Sequence, residues 1–366
     1  MKPSGGVTLP AGGRLLLRTG VSLGLLATLV IVLDWGQVVV RLRDLRPGWI
    51  ILAGVVSTLQ VALLAWRWRY TSGRLGVPIP YGRALREYYL AIFLNQVLPG
   101  GVLGDVSRAW RHASLPSSRA EEPELVASRD AGAAVRGVVL ERASVQVVMI
   151  FVALLSLLSI ASAHLGGREA GWTVAATASF LVLGGLLLSS TLGASRTSGK
   201  GGRQGGPRTL SGGAGTRVPR DSLLNRIRTD VRAAFLSEGA LFVQLATGAL
   251  VAGSYIAVYL LAARAVGIET PVLLLLPLVA PVLISMLIPI TIAGWGLREG
   301  AAAALWGLVG LSAADGVAIS VAYGLLILLF SLPGALIVLS LVVGSSPFGG
   351  LPDRHRGGRR EPAHRP

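Results

Sequence analysis

The sequence predicts an all-α protein, a polytopic bundle of transmembrane helices. Three observations predict it. Of 366 residues, 52% are hydrophobic and 14% are charged, against about 25% charged in an ordinary soluble domain. The apolar residues come in long blocks at 139–163, 172–194, 239–263, 271–293 and 316–343, each near the roughly 20 residues that a helix needs to cross a bilayer core. The net charge of +16 is nearly all arginine, Lys2 and Lys200 being the only lysines, and cytoplasmic loops of membrane proteins collect such charge.

The elements follow in order. A 1–14 tail precedes a first helix at about 15–33, which runs on without a small-residue cleavage site and so reads as a retained helix. A second helix covers about 48–66. A third segment, 84–104, is interrupted by Pro99-Gly100-Gly101. Helices at 139–163 and 172–193 complete a first membrane half at 15–193. Residues 194–221 are rich in Gly and Arg and form a flexible linker. Residues 222–236 place Leu224, Ile227, Val231 and Phe235 on one helical face, with Arg226, Arg228 and Arg232 elsewhere. That pattern suits a helix lying on an anionic membrane surface, and a solvated connector fits nearly as well. The second membrane half, 239–343, holds a helix at 239–263, a segment at 271–290 broken by Pro277, Pro281 and Pro289, another at 297–311, and one at 316–343 with Pro333. That makes about eight spans and one broken or re-entrant segment. A disordered basic tail, 344–366, ends the chain.

Arginine placement gives the orientation. Loop 67–86 holds Arg67, Arg69, Arg74, Arg83 and Arg86, and the loop after segment three holds Arg108, Arg111, Arg119, Arg129 and Arg136. The linker region and the C-terminal tail are equally basic. All face the cytoplasm, as do both termini, in a cell-membrane protein. Loops 164–171 and 264–270 carry one Arg each and face out; loop 34–47 carries three, a mild exception. Both flanks of segment three are then cytoplasmic, so its Pro-Gly-Gly centre marks a segment that dips in and returns, or a span that shifts the count by one. Irregular backbone survives at membrane depth only where protein or water satisfies it.

Several function classes drop out. A soluble chain this basic would suggest nucleic acid, but the hydropathy assigns the charge to membrane topology, and no nucleic-acid partner is expected. There is no cysteine, so disulfides, thiolate metal sites and a cysteine nucleophile are excluded. His112, His164, His355 and His364 are not at metal-ligand spacing. No metal, cofactor or catalytic residue is expected. The Gly201-Gly202 and Gly205-Gly206 pairs lack the strand and the Gly-Lys-Ser/Thr of a phosphate loop.

Ionisable groups within apolar blocks carry the functional information, because each costs about 2.5–3.5 kcal/mol at the bilayer centre on insertion scales. They are Glu87, Asp105, Arg108, Glu141, Arg142, Arg298 and Glu299. Two runs share a pattern: an apolar lead-in, a proline, glycines, then an acid and an arginine. The first holds Asn95, Pro99, Gly100, Gly101, Gly104, Asp105 and Arg108; the second holds Pro289, Gly294, Gly296, Arg298 and Glu299. They lie one in each half and suggest a weak internal repeat. Paired Gly/Pro-interrupted segments point to a central site in transporters. Glycines let backbone approach a ligand closely, and a restarting helix offers amides to phosphate. Arg108 and Arg298 could add bidentate phosphate contacts, with Asp105 and Glu299 holding them. Equally, Asp105–Arg108 and Arg298–Glu299 could be salt bridges at the cytoplasmic interface. Glu141-Arg142 either closes the same cluster or marks the membrane boundary. Asn95 binds a headgroup or bonds across helices. Tyr88, Tyr89, Trp110, Trp172 and Trp295 are assigned to interfacial belts.

The stretches LNQVLPGGVLGDVSR at 94–108, ER at 141–142 and PITIAGWGLRE at 289–299 resemble the signatures of the lysylphosphatidylglycerol synthase transmembrane-region family, also described as flippase-like. The resemblance covers about 15–343. Leu103-Gly104-Asp105 stands where that family usually has Gly-Gly-Asp, and Ala293-Gly294-Trp295-Gly296 where it has Gly-Gly-x-Gly. The resemblance implies a multi-pass bundle that binds or translocates phospholipids or polyprenyl-linked lipids. In two-part members a separate soluble domain attaches lysine; the short Arg-rich tail leaves no room for one, which implies transport without aminoacyl transfer. The expected partners are membrane lipids with anionic heads. The alternatives are a non-transporting subunit that scaffolds a lipid- or glycan-modifying enzyme partner, and a membrane glycosyl- or lipid-transferase.

Overall fold

A computed structural model describes residues 35–98, 101–114, 123–166, 223–236, 239–288, 291 and 293–344, with five isolated positions between 20 and 31. The N-terminal tail, most of the helix expected at 15–33, the span expected at 172–193, the linker at 194–221 and the tail beyond 344 lie outside the described residues.

The described residues form helices throughout: α1 (Trp35–Arg43), α2 (Pro47–Arg74), α3 (Tyr81–Val97), α4 (Leu103–Ala113), α5 (Pro123–Gly166), α6 (Leu223–Val231) with a π-turn at Arg232–Leu236, α7 (Ala240–Ala265), α8 (Val272–Ser285), α9 (Leu297–Leu308) and α10 (Ala313–Gly344). Four are long and apolar enough to cross a membrane: α2, α5 over Ala131–Ser162, α7, and α10 over Ala313–Leu341. Leucines and valines such as Leu59, Leu154, Leu250 and Leu336 stay exposed on these helices. An outward apolar face suits a hydrocarbon surround and not water.

Several boundaries differ from those the sequence suggests. Helix α2 continues to Arg74, which takes Arg67 out of the expected loop and buries it completely. Helix α5 starts well before residue 139 and carries Arg136, which pairs with Asp230 of α6. Helix α8 runs through Pro277 and Pro281, and α10 through Pro333. Each proline removes one helical hydrogen bond, but neighbouring helices in a bundle hold the backbone in place.

Ion pairs and loop bonds sort the helix ends. At one end, Arg46 N–H donates to Ala265 O at 2.9 Å, Arg46 pairs with Glu269, and Arg41 pairs with Asp315. At the other, Arg74 Nε donates to Ala233 O and His112 Nε2 bonds Val77 O. So α2 ends where α7 begins. Helices α3 and α4 start and finish at the second end, and α8 and α9 start and finish at the first. Each pair is a helical hairpin that enters the bundle and turns back. The segments at 271–290 and 297–311, counted as spans from the sequence, are the two arms of the second hairpin.

The halves pack as copies of one another. Helix α2 lies against α7, hairpin arm α3 lies against α10, and hairpin arm α8 lies against α5. Exchanging the halves maps each contact onto another while reversing every helix direction. This is the geometry of an inverted-topology repeat, whose binding sites lie at the repeat interface near the membrane midplane.

Gly104 lets the first hairpin close. A Cβ there would lie 2.0 Å from the backbone oxygen of Ala91, on the opposite arm. Backbone cannot yield as a flexible side chain can. We expect Gly104→Ala to destabilise the protein by about 1–3 kcal/mol or more, read as a lower thermal midpoint in detergent. An unchanged midpoint would show that the arms are not packed as described.

Candidate functional site: an arginine-lined central cavity

The hairpin tips meet at one cavity of about 220 Å³ in the middle of the bundle. Asn95 and Gly101 reach it from the first hairpin, Leu287 and Ala293 from the second, and Glu141 and Arg142 from α5. Pro99, Gly100 and Pro289 lie outside the described residues, but their flanks line this shared space.

One polar network backs the first tip. Asp105, in the first turn of α4, accepts from Arg108 Nε at 3.0 Å, from Arg142 Nε at 3.1 Å and Nη2 at 2.9 Å, and from Asn95 Nδ2 at 3.2 Å. The Asn95 side-chain oxygen accepts the Gly104 N–H at 2.7 Å, which satisfies an amide at the start of α4. Glu141 Oε2 accepts from Arg108 Nη2 at 3.0 Å and from the Tyr88 hydroxyl at 2.5 Å. The Arg108 guanidinium lies 4.1 Å from the Tyr88 ring centroid and 4.8 Å from that of Trp68, within cation–π range. Glu141 Oε1 and Arg108 Nη1 are buried with no hydrogen-bond partner among the described residues.

A second network backs the second tip. Gly296, at φ +85°, donates its N–H to Glu299 Oε2 at 2.7 Å and starts α9. Glu299 Oε1 accepts from Arg298 Nη2 at 2.5 Å and Nε at 3.0 Å, and from Ser320 Oγ at 3.1 Å. The Arg298 guanidinium sits over the rings of Trp295 and Tyr323. The two halves thus repeat one device: an arginine held by a carboxylate and covered by two aromatic rings. Gly294 fits the same turn at φ +80°.

The structure sorts the residues singled out from sequence. Asn95, Gly101, Glu141 and Arg142 border the cavity; Arg108, Arg298 and Glu299 are enclosed behind it. Arg108 and Arg298, read from sequence as phosphate contacts or as salt-bridge partners, both pair with carboxylates, and Arg108 Nη1 is left without a partner among the described residues. Arg142 instead faces the cavity, with its side chain 27% exposed. Two of its five N–H groups engage Asp105, and no other partner is recorded for it among the described residues, so the rest can meet a ligand. Tyr88 and Trp295, assigned to interfacial belts from sequence, pack on the buried arginines.

Sequence reasoning missed Arg67. It donates to Gln244 O and Ser144 Oγ at 2.8 Å each, and to Thr247 Oγ1. No carboxylate lies within ion-pair distance of it among the described residues. Setting the end of α2 at Arg74 would have exposed it, because an arginine inside an apolar span is a functional signal. Arg67, Arg108 and Arg142 stand against Asp105 and Glu141, so this core holds one surplus positive charge. Arg298 and Glu299 cancel.

Ala293 sits at φ +50°, a left-handed conformation that strains a residue with a Cβ. It stands where glycine is usual in the resembled signature. Leu103 begins α4, and the positive φ of that turn belongs to Gly101 at +63°. Ala293→Gly is therefore expected to relieve about 1 kcal/mol of strain, giving an equal or higher thermal midpoint. A clear fall in the midpoint would contradict this.

Crossing helices, two opposed hairpins and a charged cavity at their tips define a multi-pass helical membrane protein of the broken-helix kind. Residues 15–334 match the Lysylphosphatidylglycerol synthase TM region family, and the chain belongs to that family. No match was found among curated proteins or among solved structures.

Proposed function

We propose that the protein binds a lipid with an anionic headgroup in the central cavity and moves it across the cell membrane. The lipid is a phospholipid or a polyprenyl-linked lipid. The observation that carries this reading is the cavity where two hairpins from opposite ends meet beside a buried surplus of arginine. An unbalanced cation in a low-dielectric interior is costly, and a phosphate offsets it. Hairpins entering from opposite ends suit alternating exposure of one site, each tip closing one side.

The arginine-rich end, with Arg69, Arg74, Arg83, Arg86 and Arg111, is placed in the cytoplasm. The proposal assigns the chain transport and no chemical step.

Reconstitution tests it. Purified protein in vesicles should speed transbilayer movement of a fluorescent anionic phospholipid, and do so more than for a zwitterionic lipid of the same chains. Movement no faster than in protein-free vesicles would overturn the reading.

A further inference from the structure

The wall of the central cavity carries a charge that its own residues do not balance. Arg108 and Arg142 pair with Asp105 and Glu141, and no further carboxylate reaches either arginine among the described residues. Arg67 is fully buried and is held by neutral groups alone: Gln244 O, Ser144 Oγ and Thr247 Oγ1. Such dipoles lower the cost of a buried cation but do not cancel its charge. Leu64, one turn before Arg67 on α2, borders the cavity, as do Arg142 and Val145 on either side of Ser144 in α5. The excess charge therefore lies directly behind the cavity wall.

The lining offers donors to match it. Arg142 meets the cavity with N–H groups beyond those on Asp105. Gln60 from α2, Gln96 from α3, Gln146 from α5 and Tyr255 from α7 border the same space. Each can donate an N–H or an O–H, and none makes a hydrogen bond with the described residues. Gln60 is only 6% exposed. An amide so enclosed is nearly always bonded, so its place at the wall points to something held inside. Water would complete these bonds but leave the arginine charge unbalanced.

Charge and size narrow the class. One monovalent anion cancels one surplus positive charge, whereas a divalent anion reverses the imbalance. A halide accepts hydrogen bonds from any direction, which suits donors converging from four helices. The cavity of about 220 Å³ has room for the ion and several waters, each taking about 30 Å³ in the liquid.

We propose that, between lipids, the cavity binds one chloride ion, and that the anionic headgroup displaces it. The chloride site rests on the charge count; the exchange rests on the lipid reading above. Either anion leaves the core neutral. Arg67 is then a positioning residue, which acts through its field and touches neither ligand.

The test uses the full chain in detergent, with sodium chloride against sodium gluconate at equal ionic strength. The thermal midpoint should rise and saturate with chloride and not with gluconate, a much larger anion. Broadening of the chloride NMR line by the protein reads the ion directly, and a short-chain anionic phospholipid should reverse it. Arg67→Gln keeps N–H donors but should weaken chloride about tenfold, the effect of a unit charge roughly 10 Å away at an effective dielectric of about 20. Arg67→Lys should restore the affinity, which a merely structural role would not predict. Where Arg67→Gln fails to fold, Arg142→Ala should show the same weakening. If chloride and gluconate act alike, or chloride binds the neutralised variant as tightly as wild type, the proposal is overturned. Chloride that binds but is not displaced by the lipid supports the site and removes the exchange. A chloride site in a protein that moves no lipid would leave the site standing and overturn the transport reading alone.

Discussion

Arg142→Ala should slow transbilayer movement of an anionic lipid about tenfold or more, while the protein still inserts and folds. Arg142 is the cation that faces the cavity, and its N–H groups beyond those on Asp105 remain available. A charge-assisted hydrogen bond contributes about 1.5–3 kcal/mol, which sets the tenfold scale. The fold should tolerate the change because Asp105 keeps Arg108 and Asn95 as partners. Reconstituted vesicles read the rate, and thermal unfolding in detergent reads the fold. Wild-type rates from a folded Arg142→Ala variant would remove the central cavity from consideration.

Arg108→Ala should act on stability. Arg108 is wholly enclosed, and removing it leaves Glu141 buried with the Tyr88 hydroxyl as its hydrogen-bond donor. Breaking one side of a buried ion pair costs about 3–5 kcal/mol, and the contacts with the Tyr88 and Trp68 rings go as well. The discriminating comparison is Arg108→Ala combined with Glu141→Ala. With no lone carboxylate left behind, the double variant should recover part of the loss. A double variant that falls by the sum of the single losses would mean that the two side chains are not coupled.

The two predictions separate binding from architecture in a site whose residues look alike in sequence. Asp105, Arg108, Glu141 and Arg142 all read as costly ionisable groups near apolar blocks. Their different tasks depend on which way each helix turns. Glu141 and Arg142 are adjacent and both border the cavity, yet the Glu141 carboxylate is bonded to Tyr88 and Arg108 while the Arg142 side chain stays partly exposed there. Sequence spacing ranks residues by cost, but it does not say which partner offsets that cost.

The hairpins show the same limit. The proline and glycine runs at 99–101 and 289–296 announced interruptions, and the excess of arginine on both flanks of the first suggested a segment that turns back. The second gave no such sign, because its own flanks, 264–270 and 309–315, hold a single arginine, and its arms were counted as spans. Pro277 and Pro281 looked like breaks, yet α8 passes through them under the support of α5.

By itself, the sequence determined that the chain is helical, that it belongs in a membrane, and which short runs carry its costly charges. These follow from composition and local pattern, since a bilayer rewards any apolar block of sufficient length. Only the tertiary structure decided that the halves are inverted copies, that two tips share one cavity, and that Arg67 is buried among them. Those depend on contacts between residues far apart in the chain, such as Arg67 with Gln244 and Arg108 with Glu141, which no local window contains.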